Sequence, residues 1–193
     1  MPSAAVVAVV DELDRHRARF EEFCRSLSQE ELDLPVPQST WIVRDFIAHL
    51  ATIDVPVGQM FKTMHAGGDP GIRNPDGGRF DVDNWNDRQV EQRRALDVEA
   101  VLAEAATTRA ELRKHLFALT DEDLDRTMKF GGDSKRPAGE VKLGAYLRGW
   151  NKHDPMHAFD MCRALPEHGK RLADWFDDPA IRMYQNAMNK PGD

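Results

Sequence analysis

Residues 142–165 read KLGAYLRGWNKHDPMHAFDMCRAL, and large side chains recur there at steps of three and four residues. This spacing is typical of one face of an α-helix. The face comprises Leu143, Tyr146, Trp150, His153, His157 and Met161. Pro155 lies inside the pattern and lacks the N–H that would bond to the carbonyl of Asn151, so we expect a bend there. The stretch predicts a helix that carries two histidines on its buried side.

Three further helical regions precede this one, with apolar residues at the same spacing. They cover residues 6–27, 40–64 and 85–119. Thr40 can act as the N-cap of the second region, and Pro56 should bend it. The third region should break near residues 96–97. The chain therefore has four helical regions and an all-α architecture.

The segments between and after these regions read as loops or short helices. Residues 67–83 are rich in Gly, Pro, Asn and Asp, which predicts a long irregular crossover between the second and third helices. Residues 131–139, GGDSKRPAG, indicate a hairpin or a looser excursion. Residues 169–189 predict one or two additional helices, interrupted at Pro179. A length of 193 residues suits one domain over residues 1–193.

A short sequence occurs twice. Residues 27–33, LSQEELD, recur as LTDEDLD at residues 119–125. In the first copy Ser28 and Glu31 fit a capping box. Both copies could be ordinary helix caps, or they could mark a duplicated helix pair in which residues 43–50 and residues 143–150 occupy equivalent places.

Composition excludes several functional classes. The chain has 26 Lys and Arg against 33 Asp and Glu, a net charge of −7, whereas nucleic-acid binding needs clustered basic residues. No apolar run approaches the roughly 20 residues that span a bilayer. The first residues carry no basic region, so we expect no secretory signal. Cys24 and Cys162 are expected to be thiols in a reducing cytosol, which indicates a cytoplasmic protein.

Three of the seven histidines are candidate metal ligands. His153 and His157 are four residues apart and lie on one helix face. His49 lies on the apolar side of the second helix, with Phe46 and Ile53 at steps of three and four residues. Three imidazoles around a divalent ion with an open position are typical of a catalytic site. Interior histidines are also often hydrogen-bonded core residues, and that alternative remains open.

Other polar residues near these histidines have two interpretations. Asp45, Asp154 and Asp160 could each accept the second ring N–H of a histidine and fix its tautomer, or they could be solvated surface carboxylates. Arg109 could bind an anionic ligand or extend past apolar neighbours into solvent. Cys162 could lie near the site or be a small buried hydrophobe.

The sequence resembles the DinB-like/YfiT-like metalloenzyme superfamily, which includes mycothiol- and bacillithiol-dependent S-transferases and the maleylpyruvate isomerase metal-binding domain. The resemblance rests on four segments in a characteristic order: residues 27–33, residues 41–50 (WIVRDFIAHL), residues 109–125 (RAELRKHLFALTDEDLD) and residues 153–157 (HDPMH). It implies a four-helix bundle with a long crossover between helices 2 and 3 and an extra C-terminal helical segment, commonly dimeric. It also implies one divalent metal held by His49, His153 and His157.

The same resemblance implies a low-molecular-weight-thiol S-transferase or isomerase of the mycothiol type, acting on a small electrophilic substrate. The cofactors would be a divalent ion, zinc by default with nickel or iron as alternatives, and a thiol cosubstrate. We expect neither nucleic acid nor a membrane as a partner. We expect the protein to form a homodimer. A metal-activated hydrolase, a non-catalytic binding or self-protection protein, and a structural metal remain alternatives. We do not expect a proline at position 155 in most relatives, and Pro155 could shift His157.

Overall fold

Helices form nearly all of the regular structure in the computed structural model, which describes residues 2–72, 80–130 and 138–188. The helices are α1 (Ala4–Arg25), α2 (Gln29–Leu32), α3 (Val43–Thr52), α4 (Asp54–His65), α5 (Val82–Arg93), α6 (Val98–Phe117), α7 (Asp121–Asp125), α8 (Leu143–Trp150), α9 (His153–Cys162), α10 (Pro166–Arg171), α11 (Ala173–Phe176) and α12 (Pro179–Met188). Two short strands, β1 (Thr127–Phe130) and β2 (Gly139–Lys142), form one antiparallel pair. The predicted all-α class is confirmed.

Four long arms form the bundle: α1, α3 with α4, α6, and α8 with α9. Helix α6 packs on α1, α3 and α4, while α9 packs on α1 and α3. The apolar core forms two clusters along these arms. One cluster contains Phe20, Leu50 and Met161, and the other contains Leu13 and Phe61. The predicted four-helix bundle is therefore confirmed, with two apolar layers stacked along its length.

Two arms of the bundle are broken just before a proline. Helix α4 begins at Asp54 and α9 begins at His153, so Pro56 and Pro155 are each the third residue of their helix. The backbone N–H has no partner within the helix at that position, and proline is tolerated there. Both predicted bends are confirmed, and so is the predicted break between α5 and α6, which Asp97 caps by accepting a hydrogen bond from Ala100 N.

The start of α3 differs from the prediction. Thr40 does not cap this helix, which begins at Val43 with Ile42 as the N-cap residue. The carboxylate of Asp45 accepts the Ile42 N–H at 3.2 Å and also binds the Arg94 guanidinium at 3.3 Å. At the start of α3 a backbone N–H is therefore capped by the carboxylate of Asp45, the third residue of the helix, and not by the Thr40 hydroxyl.

The repeated sequence forms equivalent structures. Both copies form a short helix with a capping box, Ser28 with Glu31 in α2 and Thr120 with Asp123 in α7. Each short helix is followed by an antiparallel backbone pairing and then by one of the two broken arms of the bundle. The pairing is an isolated bridge before α3 and the β1–β2 pair before α8. The two halves thus share one order of elements, as the hypothesis of a duplicated helix pair predicts.

The predicted connections are partly described. The crossover joins α4 to α5, and residues 73–79 of it lie outside the described residues, as do residues 131–137 of the GGDSKRPAG segment. The strands that flank the latter segment pair in register from Thr127 with Lys142 to Phe130 with Gly139, which confirms the hairpin. Helix α12 begins at Pro179, where we expected an interruption. No helix in the described ranges is long and apolar enough to cross a membrane.

Candidate metal centre

The structure brings the three predicted histidines together. His49 projects from α3 and meets His153 and His157 from α9, and one ring nitrogen from each lies within 4.8 Å of the others. The ring centroids are 4.6–5.2 Å apart. Among the described residues, this is the one group of three side chains whose ligand atoms approach closely enough to share an ion. We call it the histidine cluster.

The break before Pro155 does not displace either histidine of α9. His153 Nε2 and His157 Nε2 are 3.1 Å apart, since residues four apart in a helix lie on the same face. His153 is the first residue of α9, and Pro155 is the third. Pro155 therefore does not prevent the two imidazoles from meeting on one face of α9.

His157 has its tautomer fixed by Asp160. His157 Nδ1 lies 3.0 Å from Asp160 Oδ2. An ionised carboxylate only accepts hydrogen bonds, so Nδ1 carries the ring proton and Nε2 keeps its lone pair. That lone pair faces the cluster, because Nε2 is the atom nearest His153. Asp160 is 4% exposed and makes the contact that the sequence suggested for it.

His49 is held in the same tautomer from another side. Its Nδ1 lies 3.2 Å from Oδ1 of Asn86, an acceptor on α5, so the Nε2 lone pair is again the one left for the cluster. Burial lowers the pKa of His49 well below its usual value, and charge on His157 or His153 would lower it further. His49 is therefore a neutral imidazole, which is the form that binds metals. The sequence pattern gave no sign of Asn86, because α5 is mostly polar.

An aromatic ring packs against each histidine. The indole of Trp150 stacks on His153 with centroids 4.6 Å apart and planes at 23°. Trp41 lies 5.3 Å from His49, and Phe46 lies 5.6 Å from His157. These contacts restrict rotation of the imidazoles, so the ring nitrogens are oriented before any ligand arrives.

Two of the three candidate carboxylates make other contacts. Both oxygens of Asp154 accept hydrogen bonds from Arg17 at 2.9 Å instead of a histidine N–H. Asp45 caps α3 and binds Arg94, as described above. Asp154 follows His153 in the chain, and its side chain is directed toward α1 and away from the histidines. Neither residue supports the cluster in the way the sequence suggested, and neither is a solvated surface group.

Asp154 belongs to a buried ionic layer, which we define as Arg17, Asp54, Arg109 and Asp154. Arg109 Nε donates to Asp54 Oδ2 at 2.6 Å, and Arg109 Nη2 lies 3.6 Å from Asp154. Burial alone would raise the pKa of Asp154, but the charges of Arg17 and Arg109 lower it below its usual range. Arg109 is therefore buried and paired, and both sequence interpretations of it were wrong. The layer separates the two apolar clusters, and Trp150 links it to His153 by donating to Asp54 Oδ1 at 3.2 Å.

The histidine cluster fits a divalent ion. Nitrogen ligands at about 2.0–2.1 Å from a tetrahedral zinc are about 3.3 Å apart, and the closest pair here is separated by 3.1 Å. All three ring nitrogens lie within 4.8 Å of one another, which is close enough for one ion to be shared. Three imidazoles suit zinc, nickel, iron or copper by ligand chemistry.

Neither cysteine supplies a reactive sulfur to the site. Both thiols are buried. Burial raises the pKa of Cys162 to about 12 and raises that of Cys24 well above its usual value. Since the thiolate is the nucleophile, a buried thiol with a raised pKa is inert at neutral pH. Cys162 is thus a small buried hydrophobe, the second of its two predicted roles.

The sequence profile of the DinB superfamily matches residues 12–160 of the 193-residue chain. The chain belongs to the DinB superfamily. The resemblance inferred from the four motifs is thereby confirmed, and α10, α11 and α12 lie beyond the matched range.

Solved structures show the same fold as this DinB-superfamily chain. YfiT from Bacillus subtilis, described as a probable metal-dependent hydrolase with an unusual four-helix bundle topology, aligns with a TM-score of 0.64 and 18% identity over 90% of this chain and 91% of that chain. A mycothiol-dependent maleylpyruvate isomerase aligns with a TM-score of 0.60 and 11% identity over 81% of this chain. The alignment spans 60% of the isomerase's length. The sequence has no significant match among curated proteins.

Proposed function

We propose that this protein is a divalent-metal-dependent enzyme whose ion is held by His49, His153 and His157, with at least one coordination position open. The observation that carries the proposal is the position of two hydrogen-bond acceptors outside the cluster. Asp160 and Asn86 accept the N–H of His157 and of His49 from outside the cluster. Both remaining lone pairs are thereby left for an ion.

The arrangement disfavours an ordinary set of hydrogen-bonded core histidines. A neutral imidazole has one N–H, and two of the three residues direct theirs away from the cluster. A neutral His153 can donate at most one hydrogen bond within the cluster, so at most one pair of ring nitrogens can be joined in this way. A shared cation satisfies all three nitrogens at once. Zinc is our default ion, with nickel or iron as alternatives.

We propose thiol transfer or isomerisation as the reaction. A metal ion bound here would lower the pKa of a low-molecular-weight thiol of the mycothiol type, so that its thiolate can attack a small electrophilic substrate. The burial of Cys24 and Cys162 supports an external sulfur, because the chain offers no reactive thiol of its own. His157 and His49 are held by Asp160 and Asn86, and Trp150 shields one face of His153 from water.

Metal-activated hydrolysis is the second candidate. It is favoured by the extent of the likeness to YfiT, which covers 91% of that chain against 60% of the isomerase. In this reaction an ion in the same position would lower the pKa of bound water toward about 7. Both candidate reactions use a small-molecule substrate. We propose that the protein acts in the cytoplasm as a homodimer and that it binds neither nucleic acid nor a membrane.

A thiol-dependence assay separates these functions. Zinc-loaded protein would be mixed with an activated aryl halide, with and without a low-molecular-weight thiol, and with an ester substrate in the absence of thiol. Thiol-dependent loss of the halide over many turnovers supports the transferase, and ester cleavage without thiol supports the hydrolase. Product limited to one equivalent per chain would indicate a binding or self-protection protein.

The matched variants are His153→Ala in the cluster and His65→Ala on the exposed end of α4. We expect His153→Ala to abolish the reaction and His65→Ala to retain it. Equal activity in the two variants would contradict the proposed site.

A further inference from the structure

The C-terminal helix α12 reaches the histidine cluster through Tyr184. The Tyr184 hydroxyl donates to Asp160 Oδ2 at 2.8 Å, and the same oxygen lies 3.0 Å from His157 Nδ1. Oδ2 of Asp160 thus accepts one hydrogen bond from His157, a candidate ligand on α9, and one from Tyr184, which lies 24 positions after Asp160 in the chain. Tyr184 lies beyond residues 12–160, the part of the chain that matches the superfamily.

The hydroxyl restricts how the carboxylate can turn. Asp160 is buried, and its other oxygen, Oδ1, has no hydrogen-bond partner in the described ranges. Its orientation therefore depends on the two donors that meet at Oδ2. Burial and the neighbouring carboxylate raise the pKa of Tyr184, so the phenol keeps its proton and acts as a donor.

We propose that Tyr184 is a positioning residue for the metal centre, which holds Asp160 in the orientation that fixes the His157 ring for metal binding. The proposal rests on the proposed function, because it assumes that His157 is a ligand. Outer residues that orient a ligating histidine typically change metal affinity 10–100-fold when they are replaced. Tyr184 acts on the histidine through one intermediate, so we expect about a tenfold effect, at the lower end of that range.

The coupling must also act in reverse. If docking of Tyr184 strengthens metal binding, then metal binding strengthens the docking of α12 by the same factor. Saturating metal should therefore slow hydrogen exchange in α12 of the wild-type protein. In Tyr184→Phe this slowing should be lost, since the phenyl ring packs without the hydrogen bond that links the helix to Asp160.

The test measures cobalt and zinc affinity by competition with a chelator at fixed pH, together with the visible absorption of the cobalt form. The variants are Tyr184→Phe, Asp160→Asn and the double variant. Ile181→Val is the control, because Ile181 is fully buried on the same helix within an apolar cluster. Circular dichroism checks that each protein is folded.

We expect Tyr184→Phe to bind metal about tenfold more weakly and to alter the cobalt spectrum, with Asp160→Asn weaker still. The double variant should match Asp160→Asn, since the hydroxyl acts only through that carboxylate. Ile181→Val should bind as the wild type does.

Two results would overturn the inference alone. The first is wild-type affinity in Tyr184→Phe, and the second is an equal loss in Ile181→Val, which would show that α12 packing matters and the hydroxyl does not. Failure of the wild-type protein itself to bind either metal would instead contradict the proposed function and this inference together.

Discussion

Two polar regions inside the bundle meet where His153 is followed by Asp154, and their hydrogen-bonding groups are satisfied in opposite ways. In the ionic layer two arginines face two aspartates, and each carboxylate accepts from a guanidinium. In the histidine cluster three side chains of one chemical type converge, and two of their N–H groups point outward. A layer whose charges balance internally stabilises one arrangement of the helices. Three ring nitrogens that converge with at most one donor among them indicate a ligand from outside the chain.

The two regions also differ in their place in the fold. The ionic layer lies between the two apolar clusters and joins α1, α4, α6 and α9. The histidine cluster lies between α3 and α9, beside the partly exposed α5. Substitutions in the layer should therefore affect mainly stability, and substitutions in the cluster should affect mainly metal binding. Three predictions test this contrast, and a fourth tests whether the chain supplies a reactive sulfur.

The largest effect on stability is expected from Asp154→Ala. Removing this carboxylate leaves Arg17, which is 5% exposed, without its ionic partner, and breaking a buried pair in this way costs about 3–5 kcal/mol. Urea denaturation of the metal-free proteins measures the change. Asp14→Ala is the control, since Asp14 pairs with Arg113 at the surface, and it should cost less than about 1 kcal/mol. Similar losses in both variants would contradict a structural role for the layer.

Metal removal should have the next largest effect. A ligand present at about 100 times its dissociation constant stabilises the folded state by about 2.7 kcal/mol. Chelation should remove that increment while the helical circular dichroism spectrum remains, because the ionic layer and both apolar clusters contain no metal ligand. Unfolding on chelation would indicate a structural metal and would remove the distinction between the two regions.

Trp150→Phe tests the residue that touches both regions. The indole N–H to Asp54 is lost, and we expect a loss of about 1–2 kcal/mol in unfolding free energy, because the acceptor is charged. The phenyl ring can still stack on His153, so the metal dissociation constant should change less than threefold. A larger change in affinity than in stability would show that Trp150 serves mainly the cluster.

The smallest effect is expected at the cysteines. Because burial raises the pKa of Cys162 to about 12 and that of Cys24 well above its usual value, neither forms a thiolate at neutral pH. A thiol reagent should modify neither residue in the native protein at pH 7 and both after denaturation, as counted by mass spectrometry. Rapid modification of one native thiol would provide an internal sulfur and weaken the case for an external one.

The sequence predicts the local features of this protein well. Helical spacing places His153 and His157 on one face, proline positions locate both broken arms, and the Ser28 capping box is read directly from four residues. Each of these features depends on residues within one or two turns of each other. The same spacing places His49 on the apolar side of its helix, and the family motifs group it with His153 and His157, although it lies more than a hundred residues earlier in the chain.

Partners across the fold were not predictable in the same way. Arg17 and Asp154 are 137 residues apart, and nothing local distinguishes their charges from ordinary surface charges. One sign was available, since Arg17 lies on the apolar stripe of α1 between Leu13 and Phe20, where an unpaired charge would not be tolerated. Tyr184 gave no such sign, because a tyrosine on an amphipathic helix fits the core equally well.

Metal stoichiometry of protein purified without a histidine tag is the most direct test of the central claim. Elemental analysis of the wild-type chain should give about one divalent ion per chain, and His153→Ala, folded to the same extent, should lose it, because two imidazoles bind far more weakly than three. No stoichiometric metal in the wild type, or the same metal content in His153→Ala, would contradict the claim that the histidine cluster is a metal centre.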